Sequence, residues 1–383
     1  MSTIETLIDS SQVLLCVGPG GVGKTTTSAA LTLMAAASGR RAIVLTVDPA
    51  HRLANALGLQ SFKDEEQIIT PDMLANAGVS DSAPFAAMML NTKRTFDQLI
   101  ERHTTNPKTR DRILDNPFYV QAATRLAGSQ EYMAMEKLYE IHQSGKYDLI
   151  VLDTPPTVHA LDFLNAPQRL MDFLGHNTSG LLARGGRRIG KFGLGFLEAN
   201  RMILRGMNKF VGADFFLSVL EFLQDFSVMY DGFKERADKV KQLLSSSDSS
   251  FIVLTGPEQA SMNEGLFFRD ALIEASMPLG AFVVNRIREP FGPVDKLLAK
   301  DFEADVMGEE SLALHRASTR KKVSRAALNH FEQYQTLVLR DAANLAKLRG
   351  MLDTQPPLVS VPDFDQDIHS LRGLYEYGRC LCA

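Results

Sequence analysis

Leu14-Leu15-Cys16-Val17-Gly18-Pro19-Gly20-Gly21-Val22-Gly23-Lys24-Thr25-Thr26-Thr27 runs from an apolar, β-prone stretch into a glycine-rich loop that closes on Gly-Lys-Thr. Ser28 to Met34, of helical composition, follows directly. The order is strand, loop, helix, and Gly18 to Thr25 fits the spacing G-x-x-x-x-G-K-[ST] in full. Gly18, Gly20, Gly21 and Gly23 allow a curl in which consecutive N–H groups face one anion at the positive end of the following helix. Lys24 can then reach outer phosphates, and the Thr25 hydroxyl can ligate Mg²⁺. The stretch predicts a nucleoside triphosphate site at the edge of a parallel sheet.

Composition bounds the rest. With 383 residues, 45% of them hydrophobic and 22% charged, the chain can bury a large core and reads as one large or two modest globular domains. A net charge of −4 gives no global basic field, so no nucleic-acid partner is expected. Glu5 and Asp9 argue against a secretory leader, and no run reaches the roughly 20 apolar residues of a membrane span. A cytoplasmic protein is expected, with peripheral contact to a membrane left open. Cys16, Cys380 and Cys382 form no C-x-x-C, which leaves a structural zinc site without support, and Cys16 reads as a small buried hydrophobe.

Working outward, Arg41 to Val47 is a second β-branched run that ends on Asp48-Pro49-Ala50-His51. The helix from about Thr25 to Ser38 stops at Gly39, a C-cap residue, so a right-handed βαβ unit brings Asp48 to the carboxyl edge beside the loop. Asp48 either caps the segment after Pro49 or orients the water that attacks the γ-phosphate. Phe85 to Leu90 suggests another strand. From Lys93 to about Ser144 the pattern is helical, punctuated by Asn106-Pro107 and Asn116-Pro117, and two or three helices are expected. Tyr147 to Asp153 is a strand ending on a carboxylate, which reads either as an ordinary strand-end acid or as the acid behind the metal.

These blocks carry a resemblance. Gly20-Gly21-Val22-Gly23-Lys24-Thr25-Thr26, Asp48-Pro49-Ala50-His51 and Asp153-Thr154-Pro155-Pro156-Thr157-Val158-His159 resemble the phosphate loop, switch I and switch II of one deviant-Walker ATPase branch, the arsenite-pump and tail-anchor-targeting ATPases. Downstream, Pro257-Glu258 after the strand Phe251 to Thr255 is similar to the family's Pro-Glu near the adenosine. Asn285 after the strand Ala281 to Val284 matches its base-reading asparagine, and Val359 to Phe364 matches its last strand and adenine-packing loop. On the residues alone, Asn285 is either a turn former or a strand-end amide that meets a purine edge. The resemblance implies ATP and Mg²⁺. It places Gly20 to Thr26, Glu258, Asn285, Pro362, Asp363 and Phe364 at the nucleotide, Thr25 and Asp153 at the metal, and Asp48 and Lys24 in the chemistry.

Three departures from the family pattern stand out. The family's loop begins Gly-Lys-Gly-Gly, and that lysine crosses a dimer interface to the partner's phosphates. Here the position is Pro19, without charge or N–H. A transition-state cation of this type is worth roughly 10³ to 10⁵ in rate. Two arrangements are expected from this departure: a heterodimer with a lysine-bearing paralogue, or a homodimer in which another cation, for example from Arg52 or Lys93, takes the role. Val158 replaces a switch II glycine, and the arsenite-pump cysteines are missing, which leaves arsenite export unsupported.

Between His159 and Ser250 lie a basic glycine-rich stretch, Arg184 to Lys191, and an apolar segment, Phe192 to Phe210. Phe215, Val219, Phe222, Phe226 and Met229 follow at helical spacing. They form either a subdomain core or a groove for a hydrophobic helix, and the basic stretch can face a membrane or an acidic partner. Ser311 to Leu348 suggests a solvated helical pair, and Ile368 to Leu381 a modestly amphipathic helix.

Taken together, the sequence predicts an α/β fold, a doubly wound, mostly parallel P-loop NTPase sheet spanning residues 1–383. A helical insertion subdomain is expected over 93–145 and 165–245. The expected function is a dimeric Mg-ATPase that switches this subdomain against a protein client or membrane-associated partner. The alternative is a non-catalytic nucleotide-binding subunit of a heteromeric complex; a DNA-partitioning ATPase is disfavoured by the charge.

Overall fold

The apolar runs become strands because their alternate side chains can all be buried, on one face or the other. The strands are β1 (Val13–Val17), β2 (Ala42–Thr46), β3 (Gln67–Ile69), β4 (Phe85–Met89), β5 (Leu149–Asp153), β6 (Ser249–Thr255), β7 (Leu279–Ile287) and β8 (Leu358–Pro362). The computed structural model describes residues 1–47, 52–59, 66–79, 82–125, 129–155, 218–219, 221–222, 224–226, 230–290, 317–352 and 356–383. Asp48 to His51, Pro156 to His159, Arg184 to Lys191, Phe192 to Phe210, Phe215 and Met229 lie outside the described residues.

The strands form one eight-stranded sheet in the order β3-β4-β2-β5-β1-β6-β7-β8. Every pairing is parallel except β3 with β4. This is the α/β, mostly parallel sheet expected; the short antiparallel edge strand β3 had too little apolar pattern to be read. From central β1 the chain crosses to β2 on one side and later returns to β6 on the other, the arrangement that opens a crevice at the carboxyl ends.

On one face Val13, Leu15 and Val17 join the core of the helices Thr92–His103, Pro107–Leu114, Pro117–Arg125, Ser129–Gln143 and Tyr230–Leu244. Among the described residues, 93–144 fall in four helices rather than the two or three expected, and each Asn-Pro pair starts a helix instead of interrupting one. Asn106 Oδ1 accepts the Lys108 N–H (3.0 Å) and Asn116 Oδ1 accepts those of Phe118 (2.9 Å) and Tyr119 (3.2 Å), with proline at the first helical position. Phe222 and Phe226 are buried in this layer, with ring centroids 5.3 Å (Phe118 to Phe222) and 4.7 Å (Phe226 to Phe233) apart. At those two positions the apolar stripe packs inside the molecule.

Leu14 and Cys16 point to the opposite face and pack with helix Lys24–Ala37 and the terminal helix Leu371–Leu381. Burial pushes the Cys16 thiol up to about 12, so it serves as a small hydrophobe there. Residues 317–352 are one 36-residue helix rather than a pair, since no proline and no glycine before Gly350 breaks it. Its Asp341 is fully buried and accepts from Arg288 at the end of β7 (2.8 Å).

The terminal helix is strongly, not modestly, amphipathic: Leu371, Leu374, Tyr377, Gly378 and Leu381 are all buried on one side. A Cβ at Gly378 would come within 2.8 Å of Met34, so the two helices meet where only hydrogen fits. Beside it the Tyr377 hydroxyl and Thr27 Oγ1 are 2.7 Å apart, both buried. Tyr377→Phe is expected to destabilise the protein by about 1–3 kcal/mol, because the Thr27 hydroxyl loses its partner away from water. Chemical denaturation would read this, and an unchanged midpoint would show that the bond does not hold the helix down.

Candidate functional site

The predicted phosphate loop is the link between β1 and helix Lys24–Ala37. Gly18, Gly21 and Gly23 have positive φ, while Gly20 does not. Two of these glycines are required by space as well. A Cβ at Gly18 would lie 2.1 Å from the Leu254 carbonyl oxygen of β6, and one at Gly23 would lie 2.3 Å from Asn285 Nδ2. The helix begins at Gly23 in left-handed conformation with no side-chain cap, so its first N–H groups stay available to an anion.

Lys24 is buried, 6% exposed, and its ammonium donates to the carbonyl oxygens of Gly18 (2.8 Å) and Pro19 (2.9 Å). The loop thus holds the charge over its own centre. Thr25 Oγ1 donates to Asp153 Oδ2 (2.8 Å), and the Thr46 hydroxyl of β2 donates to the same oxygen (2.8 Å). Register explains the meeting, since Asp153 of β5 lies level with Cys16 of β1 and with Thr46 of β2. The neighbouring Thr154 hydroxyl donates to the Cys16 carbonyl (2.7 Å), fixing the chain as it leaves the strand.

A cleft of about 700 Å³ opens over this cluster. It is lined by Gly21, Gly23, Lys24, Thr25 and Thr26 of the loop and helix start, and by Asn285, Arg286, Pro362, Asp363 and Phe364. Gly20, exposed, and Val22, buried, complete the loop without lining the cleft. Phe364 lies against the Tyr377 ring (centroids 5.8 Å apart), and Tyr377 itself lines the cleft. That size and mixed polarity suit a nucleotide.

Glu258 stands apart. It is exposed at the start of helix Gln259–Glu274, makes no side-chain cap and is not among the residues lining the cleft. Of the two cations weighed as stand-ins for a lysine at position 19, Arg52 lines the cleft, whereas Lys93 pairs with Asp97 (2.7 Å) away from it. Asp48 is outside the described residues. Sequence reasoning missed Tyr377 and Arg286; the first was legible as the one aromatic at the centre of the terminal helix's apolar stripe.

The donor set fits Mg²⁺. A hydroxyl and a carboxylate are hard oxygen ligands, and this ion usually takes one or two carboxylates together with substrate phosphates. Among the described residues no group of three or more His, Cys, Asp or Glu side chains forms, and a site of that kind does not need one. No helix among the described residues is long and apolar enough to cross a membrane.

Comparison with known proteins agrees with this geometry. A family model described as anion-transporting ATPase matches residues 11–291. The chain is similar to ATPase get3 of Schizosaccharomyces pombe, 26% identical over 244 residues that cover 60% of this chain and 70% of the relative. It is similar to ATPase GET3 of Malassezia globosa, 30% identical over 170 residues, 44% of this chain and 46% of the relative. ATPase ASNA1 homolog 1 of Paramecium tetraurelia is 27% identical over 278 residues, 71% of this chain and 74% of the relative.

Proposed function

This chain belongs to the anion-transporting ATPase family and is an ATPase, and from that premise we propose a Mg²⁺-dependent, dimeric machine whose ATP cycle switches a helical subdomain, residues 93–145 and 165–245, against a protein client or membrane-associated partner. The observation that carries the reading is the convergence of buried Lys24 and Asp153 with half-buried Thr25 beneath a cleft whose lining also offers an amide and an aromatic ring.

The roles follow from the chemistry. Lys24 leaves the Gly18 and Pro19 carbonyls for the phosphates, and the loop N–H groups accompany it. Thr25 and Asp153 would hold Mg²⁺, which neutralises charge on the outer phosphates when bound. Asp48 orients the attacking water. Asn285 and the Pro362, Asp363 and Phe364 loop take the nucleoside, while Glu258 is left outside the cradle. Kinship with the family supports the dimer. The client surface draws on apolar positions of 165–245 other than Phe222, Phe226, Phe233, Ala237, Val240, Leu243 and Leu244, which are taken up in packing.

Phosphate release by the purified chain tests the catalytic part: turnover is expected with Mg²⁺-ATP and to vanish on chelation. Light scattering with a non-hydrolysable ATP analogue should report association of two chains. A labelled helix of about 20 apolar residues should bind in that state and leave on hydrolysis. Binding of that peptide regardless of nucleotide would remove the client from the proposal, and a monomer under every condition would remove the dimer.

A further inference from the structure

The tip of β7 is irregular. Its register with β8 shifts between Val284 and Ile287, and inside that step Arg286 takes φ +61, an uncommon value for a residue with a side chain. The step turns Asn285, 4% exposed, back onto the phosphate loop. Its Nδ2 donates to the Val22 carbonyl (2.8 Å), and its Oδ1 accepts the Arg286 N–H (3.0 Å). The neighbouring Gly23 has no room for a Cβ because this amide occupies the space.

A peptide unit is planar and trans, so the carbonyl of Val22 and the N–H of Gly23 point in opposite directions. A group that holds the carbonyl therefore aims the N–H. We infer that Asn285 is a positioning residue of the phosphate loop, whose amide fixes the Val22–Gly23 peptide and so aims the Gly23 N–H before any nucleotide arrives. This rests on the reading of the loop as a phosphate cradle and goes beyond contact with a base. A carboxamide has two N–H groups and an oxygen with two lone pairs. One of each is engaged here, and the remaining N–H and lone pair can still meet a purine edge. The same rigid group then joins the two ends of the site, so loop geometry and base occupancy are linked through it.

The test compares Asn285→Ala and Asn285→Asp with the unaltered chain. In ligand-free protein, backbone hydrogen exchange over residues 18–27 is expected to speed up about tenfold in both variants, since aspartate keeps the acceptor for Arg286 but cannot donate to Val22. Affinity for Mg²⁺-tripolyphosphate, which has no base, should fall about tenfold in Asn285→Ala. Unchanged tripolyphosphate affinity alongside weakened ATP binding would make Asn285 a base reader only and overturn the inference. So would loop exchange at the original rate in Asn285→Asp, a variant that stays informative where the alanine chain fails to fold. Failure of the unaltered chain to bind either polyphosphate or ATP would instead strike at the nucleotide reading, while the ligand-free exchange still decides the clasp.

Discussion

Lys24→Ala is expected to lower ATP turnover by about 10³-fold at saturating Mg²⁺-ATP, the largest effect of any single substitution in this chain. The ammonium is buried and already aimed at the centre of the loop, on the Gly18 and Pro19 carbonyls. Bound phosphate oxygens carry full negative charge and out-compete these neutral acceptors, so the transfer needs little motion of the stem. Two costs follow from deletion. The transferred phosphoryl group loses a preorganised cation, and in the free protein two buried carbonyls lose their donor, at about 1–3 kcal/mol each. Lys24→Met retains most of the stem and separates the first cost from packing. Lys24→Arg should not rescue, because a planar fork does not fit where a compact ammonium sits. Phosphate-release kinetics with a parallel unfolding curve would check this, and turnover within about threefold of the unaltered chain in Lys24→Met would show that the lysine is not part of the chemistry.

Pro19 acquires a role beside this lysine. At the position where the resemblance places a trans-acting lysine, the chain has a buried proline whose carbonyl accepts from Lys24 (2.9 Å). The residue lacks a charge to send to a partner, but its backbone oxygen still takes part in holding the loop's own cation. Of the two cations weighed for that role, Arg52 is the one that lines the cleft.

How legible this was depends on the range of the signal. The phosphate loop could be read because its constraint is local: three positive-φ glycines, a lysine and a threonine are needed within eight consecutive residues. Strands β1, β2, β5 and β6 were legible because both faces of a parallel sheet are buried, which leaves continuous apolar runs. Strand β3 was not, since it is three residues long at the edge with Ile68 half exposed. The helix starts at Pro107 and Pro117 turned on whether Asn-Pro ends a helix or begins one, and the two share a composition. The contact of Tyr377 with Thr27 joins positions 350 residues apart. No local pattern announces such a contact. The side chain of Asn285 illustrates the same limit: its residue type allowed a turn or a base contact, while its partner Val22 is defined only by the fold.

Asp153→Asn should leave the fold standing while lowering turnover by about 10²-fold and raising the Mg²⁺ concentration needed for half-maximal rate about tenfold. The asparagine carbonyl oxygen can still accept from Thr25 and Thr46, the two hydroxyls that converge on Asp153 Oδ2 at 2.8 Å, so the strand tips remain tied. The charge is removed, and the other carboxylate oxygen becomes an NH₂ donor. Asp153→Ala removes the shared acceptor as well, and its added loss of stability measures the structural share of this carboxylate. The pair of variants therefore distinguishes an acid that serves the metal from one that merely joins β2, β5 and the loop helix. A half-maximal Mg²⁺ concentration unchanged in Asp153→Asn, with stability lost in Asp153→Ala, would assign the residue to the second role and move the metal elsewhere in the cleft. The expected order of effects follows from the position of the charge, which lies 1% exposed at the tip of β5, bonded to Thr25 of the helix that follows the phosphate loop.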